Sequence, residues 1–152
     1  MVAASVVVLD AGPLGLVTNP NPSPQALACA QWLRTLVQAG TRVIIPEIAD
    51  YEVRRELLRA NKPRGLALLD ALGSKAEFLP ITTPAMREAA RLWAVAHQQG
   101  QPTAGDNTID ADMILAGQAL ALDAPDFVIA TTNVGHLSRF VPAALWRDIQ
   151  PH

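Results

Sequence analysis

Ser5-Val6-Val7-Val8-Leu9-Asp10 is the stretch whose reading decides the fold. It is continuously apolar and mostly β-branched, and it stops at Asp10 with Gly12-Pro13 beyond. Continuous rather than alternating apolarity marks a strand covered on both faces, as in a parallel sheet. Downstream, Arg42-Val43-Ile44-Ile45 and Phe127-Val128-Ile129-Ala130-Thr131 repeat the pattern, and Phe78-Leu79-Pro80-Ile81 gives a further strand whose proline belongs at an edge. Trp146 to Ile149 reads as a last short strand.

Helices fall between these strands. Asn19-Pro20-Asn21-Pro22-Ser23-Pro24 is a rigid loop, and its end supplies an N-cap serine followed by a first-turn proline. That helix runs to Ala39, with Gly40 as its stop. Pro46 opens a second helix ending near Ala60, and a third spans Pro63 to Leu72. Thr83-Pro84 repeats the cap-and-proline signal before a helix through His97, and another runs from about Thr108 to Leu122 after a turn-rich loop. Alternating strands and helices predict a three-layer α/β/α sandwich with a central, mostly parallel sheet.

The chain has 152 residues, of which 50% are hydrophobic and 17% charged. This suits one globular domain and excludes an intrinsically disordered chain. Cys29 is the only cysteine, so neither a disulfide framework nor a cysteine-based zinc site is available, and a reducing, cytoplasmic location is expected. Asp10 interrupts the N-terminal apolar run well before a membrane span, and no basic flank precedes it as a signal peptide requires. A net charge of −2 gives no global attraction for polyanions, so nucleic acid would have to bind through a local patch.

In open α/β sheets ligands bind beyond the carboxyl ends of the strands. Asp10 follows the first strand, Asn133 and His136 follow the fourth, Asp110 and Asp112 begin the helix before it, and Glu52 lies on the helix after the second. Carboxylates gathered at one edge repel unless protons or a cation intervene. Hard oxygen donors without cysteine point to Mg²⁺ or Mn²⁺. Asp112 shares a helix face with Ala116, Ala119 and Leu120, whereas Asp110 lies about 200° away, so Asp112 is the preferred ligand and Asp110 the second candidate.

Arg54, Arg55, Arg59, Lys62 and Arg64 make five of the twelve basic residues. They form either a solvated helix face or a phosphate-binding wall beside Glu52. His136 either positions a phosphate or water or caps a turn. Cys29 reads as core packing, and Trp32, Trp93 and Trp146 as core or interface residues, since they lack the spacing of a base-stacking platform.

Four blocks of this sequence resemble the PIN-domain ribonucleases, and among them the VapC-type toxins. Val6 to Asp10 is similar to the family's first strand and first metal-binding aspartate, and Ile45-Pro46-Glu47-Ile48 with Glu52-Val53-Arg54-Arg55-Glu56-Leu57 to its second block. Asp112-Met113-Ile114-Leu115-Ala116-Gly117-Gln118-Ala119 resembles the third, and Thr131-Thr132-Asn133-Val134-Gly135-His136-Leu137 the fourth. The order and distances match from Ser5 to Ile149. The pattern differs at Ala11, where the family often has a hydroxyl, and at neutral Asn133, where many members are acidic.

The resemblance implies a PIN-like fold and a metal-dependent endoribonuclease. Asp10, Glu52, Asp112 and Asn133 would be its catalytic set, Asp10, Asp112 and Asp110 its Mg²⁺ or Mn²⁺ ligands, and Arg54, Arg55, Thr131 and His136 its RNA contacts. It also implies a small antitoxin protein as partner and a homodimer. The alternative is a PIN-fold module that binds metal or RNA with little or no cleavage. A haloacid-dehalogenase-type phosphatase is disfavoured because Gly12 stands where it needs a second acid, and Asp10-Ala11-Gly12-Pro13-Leu14-Gly15 lacks the dinucleotide-binding glycine spacing.

Overall fold

The computed structural model describes residues 1–100, 106–135 and 137–152, with residues 106–109 described by backbone alone. Its sheet has five strands: β2 (Val6–Leu9), β3 (Arg42–Pro46), β4 (Glu77–Leu79), β5 (Phe127–Thr131) and β6 (Ala143–Leu145). Their spatial order is β4-β3-β2-β5-β6, and every neighbouring pair is parallel. A separate parallel pair joins β1 (Val2–Ala4) to β7 (Ile149–Pro151).

The continuous apolarity of β2 has the expected cause. Val7 and Leu9 face one hydrophobic cluster, while Val6 and Val8 face another, and all four are buried. The first cluster is closed by Leu14 of α1 (Ala11–Val17), Leu33 and Leu36 of α2 (Pro24–Gln38) and Leu69 of α4 (Pro63–Lys75). The second is closed by Leu92 of α5 (Thr83–Gln98) and by Met113, Leu115 and Ala116 of α6 (Asp106–Ala121). Helix α3 (Glu47–Arg59) serves both faces, Ile48 joining one cluster and Val53 the other. The three layers are those expected.

Helix α1 was not anticipated, because Gly12-Pro13 reads as a turn. Two local effects produce it. The Asp10 carboxylate accepts a hydrogen bond from the Ala11 N–H at 2.7 Å, and Pro13 lies in the first turn, where a missing N–H costs nothing. Burial of Leu14 then fixes the helix against the sheet.

The expected strand from Trp146 to Ile149 is corrected. Residues Trp146–Asp148 form a 3₁₀ turn, and the strand begins at Ile149. Trp146 is buried 5.6 Å from the Trp32 ring, and Trp32 Nε1–H donates to the Ile149 carbonyl at 2.9 Å, anchoring the turn. Strand β6 escaped notice because three residues are too few for periodicity to register. Of the core and interface readings for Trp93, the core one is excluded: it is 41% exposed and stacked on His97 with centroids 3.8 Å apart. Strand β4 lies at the sheet edge as expected but ends before Pro80, and the Ile81 N–H donates instead to Glu47 Oε1 at 2.8 Å.

Two neighbouring residues lock α6 in place. Gln118, 1% exposed, accepts from the Ile48 N–H at 3.1 Å and donates to the Leu79 carbonyl at 2.8 Å. It thereby satisfies an otherwise orphaned amide at the start of α3 and pins the edge strand. At Gly117, a Cβ would lie 2.4 Å from the Ala85 carbonyl oxygen and 3.1 Å from the Ala89 nitrogen. Helices α5 and α6 therefore touch backbone to backbone there. Gly117→Ala should destabilise the protein by about 1–3 kcal/mol, as overpacking does, and chemical denaturation checks this. An unchanged midpoint would show that the helices can separate without cost.

Candidate active site

The strand order reverses direction around β2, since β3 lies on one side and β5 on the other. The crevice at such a switch point opens at the carboxyl ends of the two central strands. Asp10 directly follows β2 and Thr131 ends β5. The Asp10 N–H continues the ladder to the Ala130 carbonyl at 2.9 Å, so the aspartate's backbone is held by the sheet. Its carboxylate is fixed twice: Oδ1 accepts from the Ala11 N–H, and Oδ2 accepts from Thr131 Oγ1 at 2.7 Å.

Glycine at position 12 makes this approach possible. A Cβ there would lie 2.5 Å from Thr132 Oγ1 and 2.7 Å from its Cγ2. The start of α1 therefore sits directly on the end of β5. The signal was a glycine two residues beyond the strand, which reads equally well as a turn.

Glu52 on α3 and Asp112 on α6 are both partly buried and share the electrostatic field of Asp10. Burial, followed by the charges of Asp10 and then Glu52, pushes the Asp112 carboxyl up to about 7. Glu52 is raised by burial and by Asp10, with Arg55 acting in the opposite sense. Asp10 itself is raised by burial, against which its bonds from Thr131 and Ala11 favour the charged form. The largest displacement thus falls on Asp112, which has no such donor among the described residues. Three carboxylates predicted from separate parts of the chain are brought into one electrostatic unit.

Other expected site residues are placed differently. Arg54 is engaged within the protein: it bonds Asp50 at 2.9 and 3.1 Å and Asp70 at 2.8 Å. Arg55 is exposed, lies over the Tyr51 ring at 5.1 Å and borders the same groove as Glu52. Asp110 is exposed in a separate hollow with Met86, Trp93 and Met113, so it does not join the acidic centre. The helical offset from Asp112 accounts for this. Thr131 is 1% exposed and touches Asp10 rather than presenting a face to substrate. Asn133 is exposed, and its Oδ1 accepts from the Gly135 N–H at 3.1 Å, closing a local turn, while its own N–H donates to Thr131 Oγ1. His136 lies outside the described residues.

Among the described residues, no three His, Cys, Asp or Glu side chains are grouped closely enough to enclose an ion by themselves. The donor set fits a different kind of binding. A hard divalent cation that keeps several waters needs only one or two carboxylates, and their mutual repulsion favours it.

No family model matches this chain, and no curated protein matches it either. Solved structures do. A chain of VapBC2 from Rickettsia felis, bound to a DNA fragment from their promoter, is 17% identical with a TM-score of 0.73, covering 93% of this chain and 98% of that one. A chain of FitAcB from Neisseria gonorrhoeae is 20% identical with a TM-score of 0.68, covering 93% and 99%. A chain of VapBC-5 from Mycobacterium tuberculosis, from the VapBC family of toxin-antitoxin systems, is 19% identical with a TM-score of 0.53, covering 97% and 99%. The fold is accordingly the PIN-like α/β/α sandwich of VapC-type proteins, in agreement with the resemblance of the four sequence blocks.

The charge crowding has a measurable sign. Asp112 titrates near 7 in the folded protein and about 3.9 when unfolded, so the native state holds the extra proton between these values. Stability without divalent ions should therefore fall as pH rises from about 4 to about 7. Asp112→Asn should remove most of that slope. At pH 8 in EDTA it should raise the melting temperature by about 2–4 °C, corresponding to roughly 1 kcal/mol after allowing for partial exposure. A flat wild-type profile together with a less stable variant would refute the crowding.

Proposed function

We propose that this protein is a metal-dependent endoribonuclease and the toxin of a toxin–antitoxin pair. The observation that supports this most directly is the electrostatic coupling of Asp10, Glu52 and Asp112 at the switch point of a PIN-like sheet. Perturbed carboxylates in such a crevice are what phosphodiester hydrolysis through a divalent cation requires. VapBC-5, to which the fold is similar, belongs to a toxin-antitoxin family, and this supports the choice of partner. In this reading the protein works in the reducing cytoplasm and forms a homodimer.

Asp10 and Asp112, with Glu52 close by, are the residues that would hold Mg²⁺ or Mn²⁺. When bound, such an ion lowers the pKa of a water and offsets charge that builds on the phosphate. The protein's own part is orientation. Thr131 and the Ala11 N–H hold both oxygens of Asp10, so its carboxylate does not have to reorganise during the reaction. Glu52 and Arg55, one turn apart on α3, line the same wall of the groove, where an anionic strand would enter. Water attacks phosphorus, the bond to the 3′-oxygen breaks, and the fragments carry a 5′-phosphate and a 3′-hydroxyl.

A specific observation favours the second reading, a binding module with little cleavage. No closed three-residue cage exists among the described residues, and Asn133 is neutral with its side-chain oxygen engaged in a turn. One experiment separates the two. Single-turnover incubation with cellular RNA and Mn²⁺ should give cleavage that stops in EDTA and falls at least about 100-fold in Asp10→Asn. Thr131→Val, which removes the hydroxyl that orients Asp10 and accepts from the Asn133 N–H, should lose about 10–100-fold. Cleavage that survives EDTA and Asp10→Asn would refute the metal mechanism. RNA binding with no cleavage in Mn²⁺ would establish the module.

Millimolar Mn²⁺ should also raise the wild-type melting temperature, because an ion that binds only the native state stabilises it by mass action. At 100 times the dissociation constant the gain is about 2.7 kcal/mol, and it should shrink in Asp112→Asn. A wild-type melt that Mn²⁺ does not move would count against the cation site.

A further inference from the structure

Glu52 joins the acidic centre to a groove of about 520 Å³ that runs between α1 and α3. Its two walls differ in character. One comes from α1 and the loop after it, including Gly12, Gly15, Asn19 and Pro20, and carries no charge. The other follows α3 outward from Glu52 through Arg55, Glu56 and Arg59, and continues beyond the helix to Lys62, the N-cap residue of α4. Glu52, Arg55, Glu56 and Arg59 recur at helical spacing, so their side chains line one edge of the groove, and the turn after α3 adds Lys62 to it. Outward from Glu52 cations predominate, Arg55, Arg59 and Lys62 against the single carboxylate Glu56, which pairs with Arg59.

We infer that this groove holds a single RNA strand by its phosphates, with Arg55, Arg59 and Lys62 contacting successive phosphates on one side of the scissile bond. The inference rests on the nuclease reading and assigns that site a substrate track. Charge complementarity and continuity with the acidic centre select this occupant. The groove is too small for a double helix. It contains no aromatic side chain, so the strand is gripped through its backbone rather than by base stacking. On the facing wall, Gly12 and Gly15 leave room for a sugar-phosphate chain to lie close to α1.

Competing partners do not prevent this. Among the described residues Arg55 and Lys62 form no ion pair, and Arg59 pairs only with Glu56 at 2.7 Å. That pair is exposed on both sides, and such pairs are weak enough for a phosphate to displace the carboxylate. Arg54 next door is different, because two carboxylates hold it and the strand cannot recruit it. The track therefore begins at Arg55.

Fluorescence anisotropy with a short, unstructured, labelled RNA tests this in EDTA, where cleavage is suppressed. Affinity should fall with salt over about 50 to 200 mM, and the log–log slope should become shallower by about 0.7 for each contact removed in Arg59→Gln, Lys62→Gln and Arg55→Gln. The triple variant should bind at least about tenfold more weakly at the lowest salt. Arg34→Gln, on α2 and away from this groove, should bind like wild type. A triple variant with wild-type affinity and slope would overturn the track. If wild-type protein cleaves RNA while the triple variant binds normally, only the track falls. If wild type neither binds nor cleaves RNA, both readings fall. Equal competition by poly-glutamate in place of RNA would identify the groove as a protein-docking site and overturn the assignment.

Discussion

The parallel pairing of β2 with β5 is the constraint on which the rest of the molecule depends. Val6↔Phe127 through Leu9↔Ala130 set the register, and the ladder is extended one step by the Asp10 N–H to the Ala130 carbonyl. That step puts the Asp10 carboxylate within 2.7 Å of Thr131 Oγ1. A slip of one residue would reverse every side chain of β2. The two buried clusters would then lose their alternating contacts, and Asp10 would no longer meet Thr131.

Charge is arranged around this anchor in a particular way. The basic residues of α3 do not simply neutralise the acidic centre. Arg54 turns to Asp50 and Asp70, and Arg59 to Glu56, which leaves Arg55 as the cation that acts on Glu52. The carboxylates consequently keep their mutual repulsion, which adds to burial in raising the pKa of Asp112. A site compensated by its own arginines would have little affinity for an external cation.

The helices that carry these groups are held by close contacts remote from the charge. Gly117 lets α6 rest on the α5 backbone, and Gln118 ties the same helix to Ile48 and Leu79. The position of Asp112 relative to Asp10 is therefore set by packing and buried hydrogen bonds one or two turns further along α6. Gly12 does the equivalent work for α1, whose first turn rests on Thr132.

Much of this was legible in the chain alone. A run such as Val6 to Leu9 can bury both faces only between two layers, so the α/β/α class followed from local apolarity and period. Capping serine and proline signals placed α2, because those effects act within one turn. The acidic residues were marked by their positions at strand ends and helix starts. What required tertiary structure were choices between equivalent local options. Gly12-Pro13 suits a turn or a helix start, and burial of Leu14 and the cap from Asp10 chose the helix. Arg54 has Asp50 one turn before it on α3, but its second partner, Asp70, is delivered only by the packing of α4. Thr131 looked like a substrate contact, but the parallel register turned its hydroxyl onto Asp10. Local sequence determined which elements and groups exist. Partners far apart in the chain decided where each charge points, because electrostatic and hydrogen-bond energies depend on distances that no local pattern encodes.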